Sequence, residues 1–317
     1  MSNSVQPAAC RLCGAGDVEC LGVIPPGDFF AGRVLSEPLA GGRLWRCRGC
    51  ASLFRHPVLS DAEYLKLYET GAAEQWSDGG DRNDLRHIRS IIASRPGVRN
   101  VLDVGCGTGD FLASLPAAIG KFGIEPSVAA AERASVRGVR IVSPLQELAE
   151  SARFDVITLI DVIEHLIQPA QLLDLALQHL SPGGAIVVST GDPQCAAWRI
   201  FRSRFWYSSF PEHISFPSSR FFETWLAAKG IGTVETRRTR NLRLSPGLWC
   251  AFWVVQAGYA VSPFLFHRVG RVAGLFGWLL PRRRHACPAA PGVFVDHQVV
   301  IIQPGAAPDG RANRKSA

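Results

Sequence analysis

Charge is scarce in this sequence. Asp, Glu, Lys and Arg together make up 19% of its 317 residues, against 47% hydrophobic types, a balance that excludes a chain disordered beyond its ends. The formal net charge is +7, but Arg and Lys are scattered, and their densest cluster is Arg282, Arg283 and Arg284. With no basic stripe interleaved with stacking aromatics, no nucleic-acid partner is expected. The opening residues MSNSVQPAA lack the basic start and apolar run of a secretory signal, which predicts a cytoplasmic, reducing setting. Nine cysteines, an odd number, are then read as metal ligands or small buried groups rather than disulfides. The length is about twice that of a typical domain, so two domains, or one large domain with an appendage, are expected.

Five of those cysteines fall in the first fifty residues. Cys10 and Cys13 form one CxxC, in CRLC; Cys47 and Cys50 form another, in CRGC. Each spacing lets two thiolates from one tight turn reach a single metal, and two such turns complete a tetrahedral four-sulfur zinc site. With all four positions filled by protein, the zinc is structural. A redox reading of the CxxC pairs is weaker, because two copies in a Gly- and Pro-rich segment do not look like the start of a redox helix. Cys20 has no partner and reads as a core residue.

The stretch NVLDVGCGTGDF, Asn100 to Phe111, is a short apolar strand, a glycine turn and the start of a helix. Gly105, Gly107 and Gly109 let the backbone pass close to a ligand, and the helix offers its amide end. A dinucleotide fingerprint needs a third glycine where Asp110 stands. Asp103, two residues before the first glycine, would repel a pyrophosphate and suit an amino acid sulfonium. A second strand, Lys121 to Ile124, ends at Glu125, where an acid can accept hydrogen bonds from both hydroxyls of a ribose. A third strand is expected near Ile141. FDVITLID, ending at Asp161, reads as a buried parallel strand. A helix over Pro169 to Leu180 follows, turned by SPGG into the strand AIVVST.

VLDVGCGTGDF, the acid of IEPS, FDVITLIDVIEHL and LSPGGAIVVST resemble the four ordered motifs of the class I S-adenosylmethionine-dependent methyltransferases, over roughly residues 97 to 240. The resemblance implies a doubly wound, seven-stranded Rossmann-like α/β sheet. It places Gly105, Cys106, Gly107 and Gly109 along the methionine part of the cofactor, with Asp103 beneath it. Glu125 would hold the ribose, Leu145 with its neighbours in SPLQEL would lie near the adenine, and Asp161 and Val162 would border the methyl-donating end. An Asp that often contacts the adenine amine is absent from SPLQEL.

Two EH pairs occur, Glu164–His165 in DVIEHL and Glu212–His213 in SSFPEHISFPS. The first reads mainly as structural, seating the sulfonium side of the pocket. The second resembles the EH element of methyltransferases that carry an amino-terminal four-cysteine zinc module, whose best described members are sugar C-methyltransferases. In that group the pair is proposed to remove the proton from the carbon that takes the methyl, which makes His213 and Glu212 the candidate catalytic residues; the bland reading of His213 is a loop anchor. Adjacent residues in an extended segment point in opposite directions, so Glu212 need not orient His213. The stretch DAEYLKLYETGAAEQW resembles a Tyr-bearing segment of the same group, making Tyr64 and Tyr68 candidate substrate contacts or simply packed side chains.

The last third departs from that group. Leu248 to Phe266 carries no charge over nineteen residues, close to a spanning length, but Gln256, Gly258 and Pro263 argue against a simple span. Trp249, Trp253, Tyr259 and Trp278, followed by the arginine triplet, fit a hairpin over residues 246 to 284 lying in a membrane interface, or equally a packed lid or dimer contact. VFVDHQVVIIQP reads as a final antiparallel strand. The expected organisation is a zinc module over 1–60, a helical linker or substrate cap over 61–96, the cofactor-binding core over 97–240, the apolar insertion and last strand over 241–303, and a disordered tail over 304–317. The expected activity is methyl transfer from S-adenosylmethionine to a carbon or oxygen of a small acceptor, such as a nucleotide- or lipid-linked sugar. A lipid or quinone-like acceptor at a membrane surface is one alternative, a non-catalytic cofactor-binding interaction protein another.

Overall fold

The computed structural model describes residues 6–69, 82–240, 242–266 and 292–305. The chain opens with short strands: β1 (Val18–Val23), the hairpin β2 (Gly27–Phe30) and β3 (Arg33–Leu39), β4 (Arg43–Cys47) and β5 (Leu53–His56). Two helices follow, α1 (Asp61–Glu69) and α2 (Asn83–Ser94). Strands and helices then alternate: β6 (Asn100–Val104), α3 (Asp110–Ala113), β7 (Gly120–Ile124), α4 (Val128–Val136), β8 (Arg140–Ile141), β9 (Phe154–Ile160), α5 (Pro169–Gln178) and β10 (Leu180–Gly191). Beyond them come α6 (Ala196–Phe201), the two-residue strand β11 (Ser215–Phe216), α7 (Ser219–Ala227), β12 (Thr233–Thr239), α8 (Pro246–Val261) and β13 (His297–Gln303).

Seven strands form one sheet in the order β12-β13-β10-β9-β6-β7-β8, with β13 antiparallel to both neighbours and the pairs from β10 to β8 parallel. This is the doubly wound sheet the motifs imply. Its central strands are apolar on both faces because both faces are covered. Alternate residues divide between them: Ile157 and Leu159 of β9 join a cluster with Leu173 of α5 and Phe221, Phe222 and Leu226 of α7. Val156 and Ile160 join Leu85, Ile88, Ile91 and Ile92 of α2. The SPGG segment lies inside β10 as a register irregularity between Leu180 and Ala185 rather than as a turn before it.

A second, antiparallel sheet has the order β1-β4-β5-β11. Its last strand comes from far along the chain, so the segment carrying the second EH pair is paired to the edge of the amino-terminal part. Leu12, Trp45 and Phe54, with Cys10, Cys47 and Cys50, belong to the same cluster as one face of the seven-stranded sheet.

The uncharged run over Leu248 to Phe266 gives the helix α8 up to Val261, with the chain extended at Ser262. One side of α8 packs: Tyr259 is fully buried, and Gln256 accepts from the Trp206 N–H at 3.0 Å while donating to the Arg204 carbonyl at 3.0 Å. Trp253, Val254 and Val261 lie exposed on the helix, and Phe264 and Leu265 just beyond it. Among the described residues no helix is long and apolar enough to cross a membrane. Trp278, Arg282, Arg283 and Arg284 lie outside the described residues.

Candidate active site

The four cysteine sulfurs converge, all lying within 4.8 Å of one another. Cys10 and Cys50 Sγ are 3.9 Å apart, and Cys13 and Cys47 Sγ 3.6 Å. A tetrahedron of ~2.3 Å zinc–sulfur bonds has edges of about 3.8 Å, so the donor set fits a structural zinc ion. The Cys50 N–H also donates to Cys47 Sγ at 3.4 Å. The hydrogen bond between Cys10 and Cys50 holds the Cys10 thiol above its usual range and brings Cys50 down to about 5, which favours a thiolate at the centre of the cluster.

The glycine turn between β6 and α3 has all three glycines at positive φ: 75° at Gly105, 53° at Gly107 and 79° at Gly109. At Gly105 a Cβ would stand 2.5 Å from a Val162 methyl, and at Gly109 2.9 Å from Ala134 and Val139, so these two are small because the protein packs on them. Gly107 differs: a Cβ there meets nothing within 4 Å, so its bare backbone borders open space. Its N–H donates to Glu125 Oε2 at 2.9 Å, and the Ser127 N–H donates to Oε1 at 2.9 Å. Burial raises the Glu125 carboxyl, and these two amides partly offset it. Asp103 is buried and accepts from the Thr158 hydroxyl at 2.6 Å. Cys106 and Leu145 are also buried, Cys106 on the α2 side of the sheet and Leu145 in the cluster on the opposite side.

At the end of β9, Asp161 takes a left-handed conformation, φ 52°. Its carboxylate accepts from Arg82 at 2.6 Å, and Arg82 also donates to Asp84 at 2.6 and 3.1 Å. Burial opposes the Arg82 charge, but the two aspartates more than restore it and hold the guanidinium firmly protonated. Nothing in DRNDLRHIR marks Arg82 as more than a surface helix residue.

The two EH pairs meet at this end of the sheet. His165 and His213 stand edge to face with ring centroids 5.0 Å apart, and ligand atoms of Glu164, His165 and His213 all lie within 4.8 Å of one another. Glu164 is fully buried and accepts from the Tyr207 hydroxyl on one oxygen and from Thr190 at 2.9 Å on the other. Burial, then the nearby Asp161, push its carboxyl up to about 7. The Tyr68 hydroxyl shares a 2.8 Å hydrogen bond with His165 Nδ1, and burial lowers His165 to about 4. His213 Nδ1 lies 2.9 Å from the Tyr207 carbonyl. A carbonyl only accepts, so Nδ1 carries the hydrogen and Nε2 presents a lone pair. Burial and the neighbouring His165 depress the His213 pKa well below the ordinary value, keeping the ring neutral.

Glu212 Oε1 accepts from the Ala31 N–H at 3.3 Å, while the group that orients the His213 ring is the Tyr207 carbonyl. Tyr64 is buried, its hydroxyl 3.5 Å from the Pro211 carbonyl. Tyr207 emerges as the centre of the arrangement, since its carbonyl fixes His213 and its hydroxyl holds Glu164. In the sequence it was one aromatic among many in RIFRSRFWYSSF.

Residues 72–236, over half of the chain, match the family model described as "Methyltransferase domain". The chain belongs to this methyltransferase family. The chain is 30% identical over 155 residues to the ubiquinone biosynthesis O-methyltransferase of Sodalis glossinidius, covering 44% of this chain and 62% of that one. It is 31% identical over 157 residues to the ubiquinone biosynthesis O-methyltransferase of Escherichia coli O157:H7, covering 44% and 65%. The matched part thus spans less than two thirds of these curated relatives. Among solved structures, a SAM-dependent methyltransferase from Archaeoglobus fulgidus is 16% identical with a TM-score of 0.44, over 77% of this chain and 100% of that one. An amino pentose methyltransferase from Micromonospora echinaspora is 24% identical with a TM-score of 0.31, over 44% and 65%.

Proposed function

We propose that this methyltransferase moves the methyl group of S-adenosylmethionine to a carbon or oxygen of a small acceptor, a nucleotide- or lipid-linked sugar being the first class to test, with His213 taking the acceptor's proton. The observation that carries this reading is the His213 ring, fixed by the Tyr207 carbonyl so that a lone pair on Nε2 is free for a proton. In the reaction the bond from sulfur to the methyl carbon breaks, the bond from methyl to acceptor forms, S-adenosylhomocysteine leaves, and the acceptor's proton passes to Nε2. The sulfonium already makes the methyl electrophilic, so the chain contributes alignment and proton removal. Glycine backbone at Gly105 to Gly109, Glu125, Asp103 and Asp161 would hold the donor, while Glu164 and Tyr68, flanking His165, would hold the proton-handling side. Glu212 serves the site by fixing the loop against Ala31.

A second reading, a lipid or quinone-like acceptor at a membrane surface, is favoured by the exposed apolar side chains along and after α8. A methyl-transfer screen over nucleotide sugars, glycolipid precursors and quinone precursors separates the two. With the acceptor it finds, His213→Ala is expected to lower turnover by about 100-fold, within the range for loss of a general base, while calorimetric affinity for S-adenosylmethionine stays within about twofold. Full turnover in that variant would make His213 a loop anchor.

A further inference from the structure

We infer that Arg55 is a positioning residue for His213, and that through it the four-cysteine module sets the geometry of the acceptor side without setting cofactor binding. This rests on the reading of His213 as the proton acceptor and extends it to what holds that ring in place.

Arg55 lies on β5, the strand of the amino-terminal sheet that receives β11. Ser215 pairs with Phe54 and Phe216 with Leu53, and the Arg55 N–H donates to the Ile214 carbonyl at 2.9 Å. The backbone immediately after His213 is therefore laid along β5. The backbone before it is held by the Arg55 side chain, whose Nη2 donates to the carbonyls of Ser208 at 2.7 Å and Phe210 at 2.9 Å. Phe210's carbonyl also accepts the His213 N–H at 3.0 Å. One oxygen thus joins the guanidinium to His213's own backbone, and the Ser208 carbonyl next to it adjoins Tyr207, whose carbonyl fixes the ring.

Arg55 is 2% exposed, and burial lowers its pKa only to about 10, so a full charge sits inside the protein. Such burial is costly unless the charge is well hydrogen-bonded. Among the described residues no ion pair is formed by Arg55; the loop carbonyls are what its Nη2 engages. A charge-assisted bond to each of them stiffens the loop more than neutral donors would.

The other end of the connection is the metal site. Arg11, inside the CRLC turn, donates to the Arg55 carbonyl at 2.6 Å. Ser218, two residues past β11, donates its hydroxyl to the Cys50 carbonyl, and its N–H goes to the Ser52 hydroxyl at 3.0 Å. Both cysteine turns are therefore tied to the loop of His213. The cofactor side is wired differently: Asp103 bonds to Thr158, and Glu125 to Gly107 and Ser127, all within the seven-stranded sheet and its loops.

The test compares the full-length zinc-loaded protein with Arg55→Met, Arg55→Lys and the native protein after zinc removal by a chelator. Four readouts are taken: zinc content, S-adenosylmethionine affinity by calorimetry, amide hydrogen exchange over 207–218, and the His213 ring tautomer by nitrogen NMR. In Arg55→Met, zinc content and cofactor affinity are expected to hold within about twofold while exchange over 207–218 quickens by at least about tenfold, the effect of losing one charge-assisted hydrogen bond. The Nδ1–H signature of His213 should be lost, and Arg55→Lys should restore part of both. Zinc removal should reproduce the loop and ring changes with cofactor affinity retained. Unchanged exchange and tautomer in Arg55→Met would overturn the inference, as would zinc and cofactor binding falling together with them. Full turnover in His213→Ala would remove the proton-acceptor role while leaving these loop readouts to stand or fall by themselves.

Discussion

At the scale of single residues, the three glycines of the turn do different work. Gly105 and Gly109 are confined by Val162, Ala134 and Val139, whereas Gly107 faces open space beside Glu125. A side chain at Gly107 would be strained by its φ of 53°, at about 1–2 kcal/mol, and would also enter the volume a ligand needs. Gly107→Val is therefore expected to weaken S-adenosylmethionine by at least about tenfold in calorimetry, which ~1.4 kcal/mol delivers. Gly230, at φ 67° with equally open space, stands between α7 and the edge strand β12, so Gly230→Ala should cost stability alone. Equal cofactor affinity in both variants would detach the turn from the cofactor.

Glu125 gives the site a pH dependence whose sign follows from its burial. Desolvation raises its pKa above the ordinary carboxyl range, so the proton binds at a higher pH than in an exposed glutamate. The ionised form is the one that can accept from two ribose hydroxyls. Cofactor affinity should accordingly be full at neutral pH and fall as the pH drops through that raised value, ahead of ordinary carboxylates. Glu125→Gln is expected to bind more weakly, with a flatter profile over the same acid range. A native profile as flat as the variant's would mean that Glu125 does not face the ribose.

At the scale of elements, what was legible in the sequence followed from local pattern. FDVITLI reads as a covered strand because its run is nearly continuously apolar, with only Asp155 and Thr158 polar, and β9 is indeed central; NVLDVGCGTGDF announces a strand, a turn and a helix through its own glycines. The paired CxxC turns were legible for a similar reason, since each is complete within four residues. β11 was not: two residues carry no period, and their partner β5 lies about 160 positions earlier in the chain. Convergence of the two EH pairs was hidden likewise, because it depends on how β9, β10 and the loop before β11 stack in space. Tyr207, Arg82 and Arg55 share that fate, each being defined by contacts across 43 to 155 positions.

The cysteine turns join two elements of one sheet, so metal loss should act on the element as a unit. Purified protein is expected to carry about one zinc per chain, and Cys47→Ser to carry close to none. Because the cysteine cluster shares its apolar core with Trp45, Phe54 and the α7 side of the large sheet, the same variant should also lower the melting temperature. Native protein that purifies without zinc, or a zinc-free Cys47→Ser variant that melts at the native temperature, would remove the structural role of the cluster.

At the scale of the whole molecule, the surface around α8 decides between the two acceptor classes. Its buried side is committed: Tyr259 belongs to the aromatic cluster of Trp198, Phe205 and Tyr207, Gln256 accepts from the Trp206 backbone N–H, and Val255 is buried. Its other side leaves Val254 and Val261 more than half exposed, with Phe264 and Leu265 continuing the apolar surface. Scattered exposed apolar residues need no explanation, but a contiguous group on one helix does. If it rests on a membrane, native protein should float with vesicles containing anionic lipid, and Val254→Glu should reduce recovery several-fold while stability moves by no more than about 0.5 kcal/mol, as for a surface substitution. Native protein that stays at the bottom of the gradient would leave a water-soluble acceptor, such as a nucleotide-linked sugar, as the class to pursue. Flotation retained in Val254→Glu would mean that another surface makes the contact.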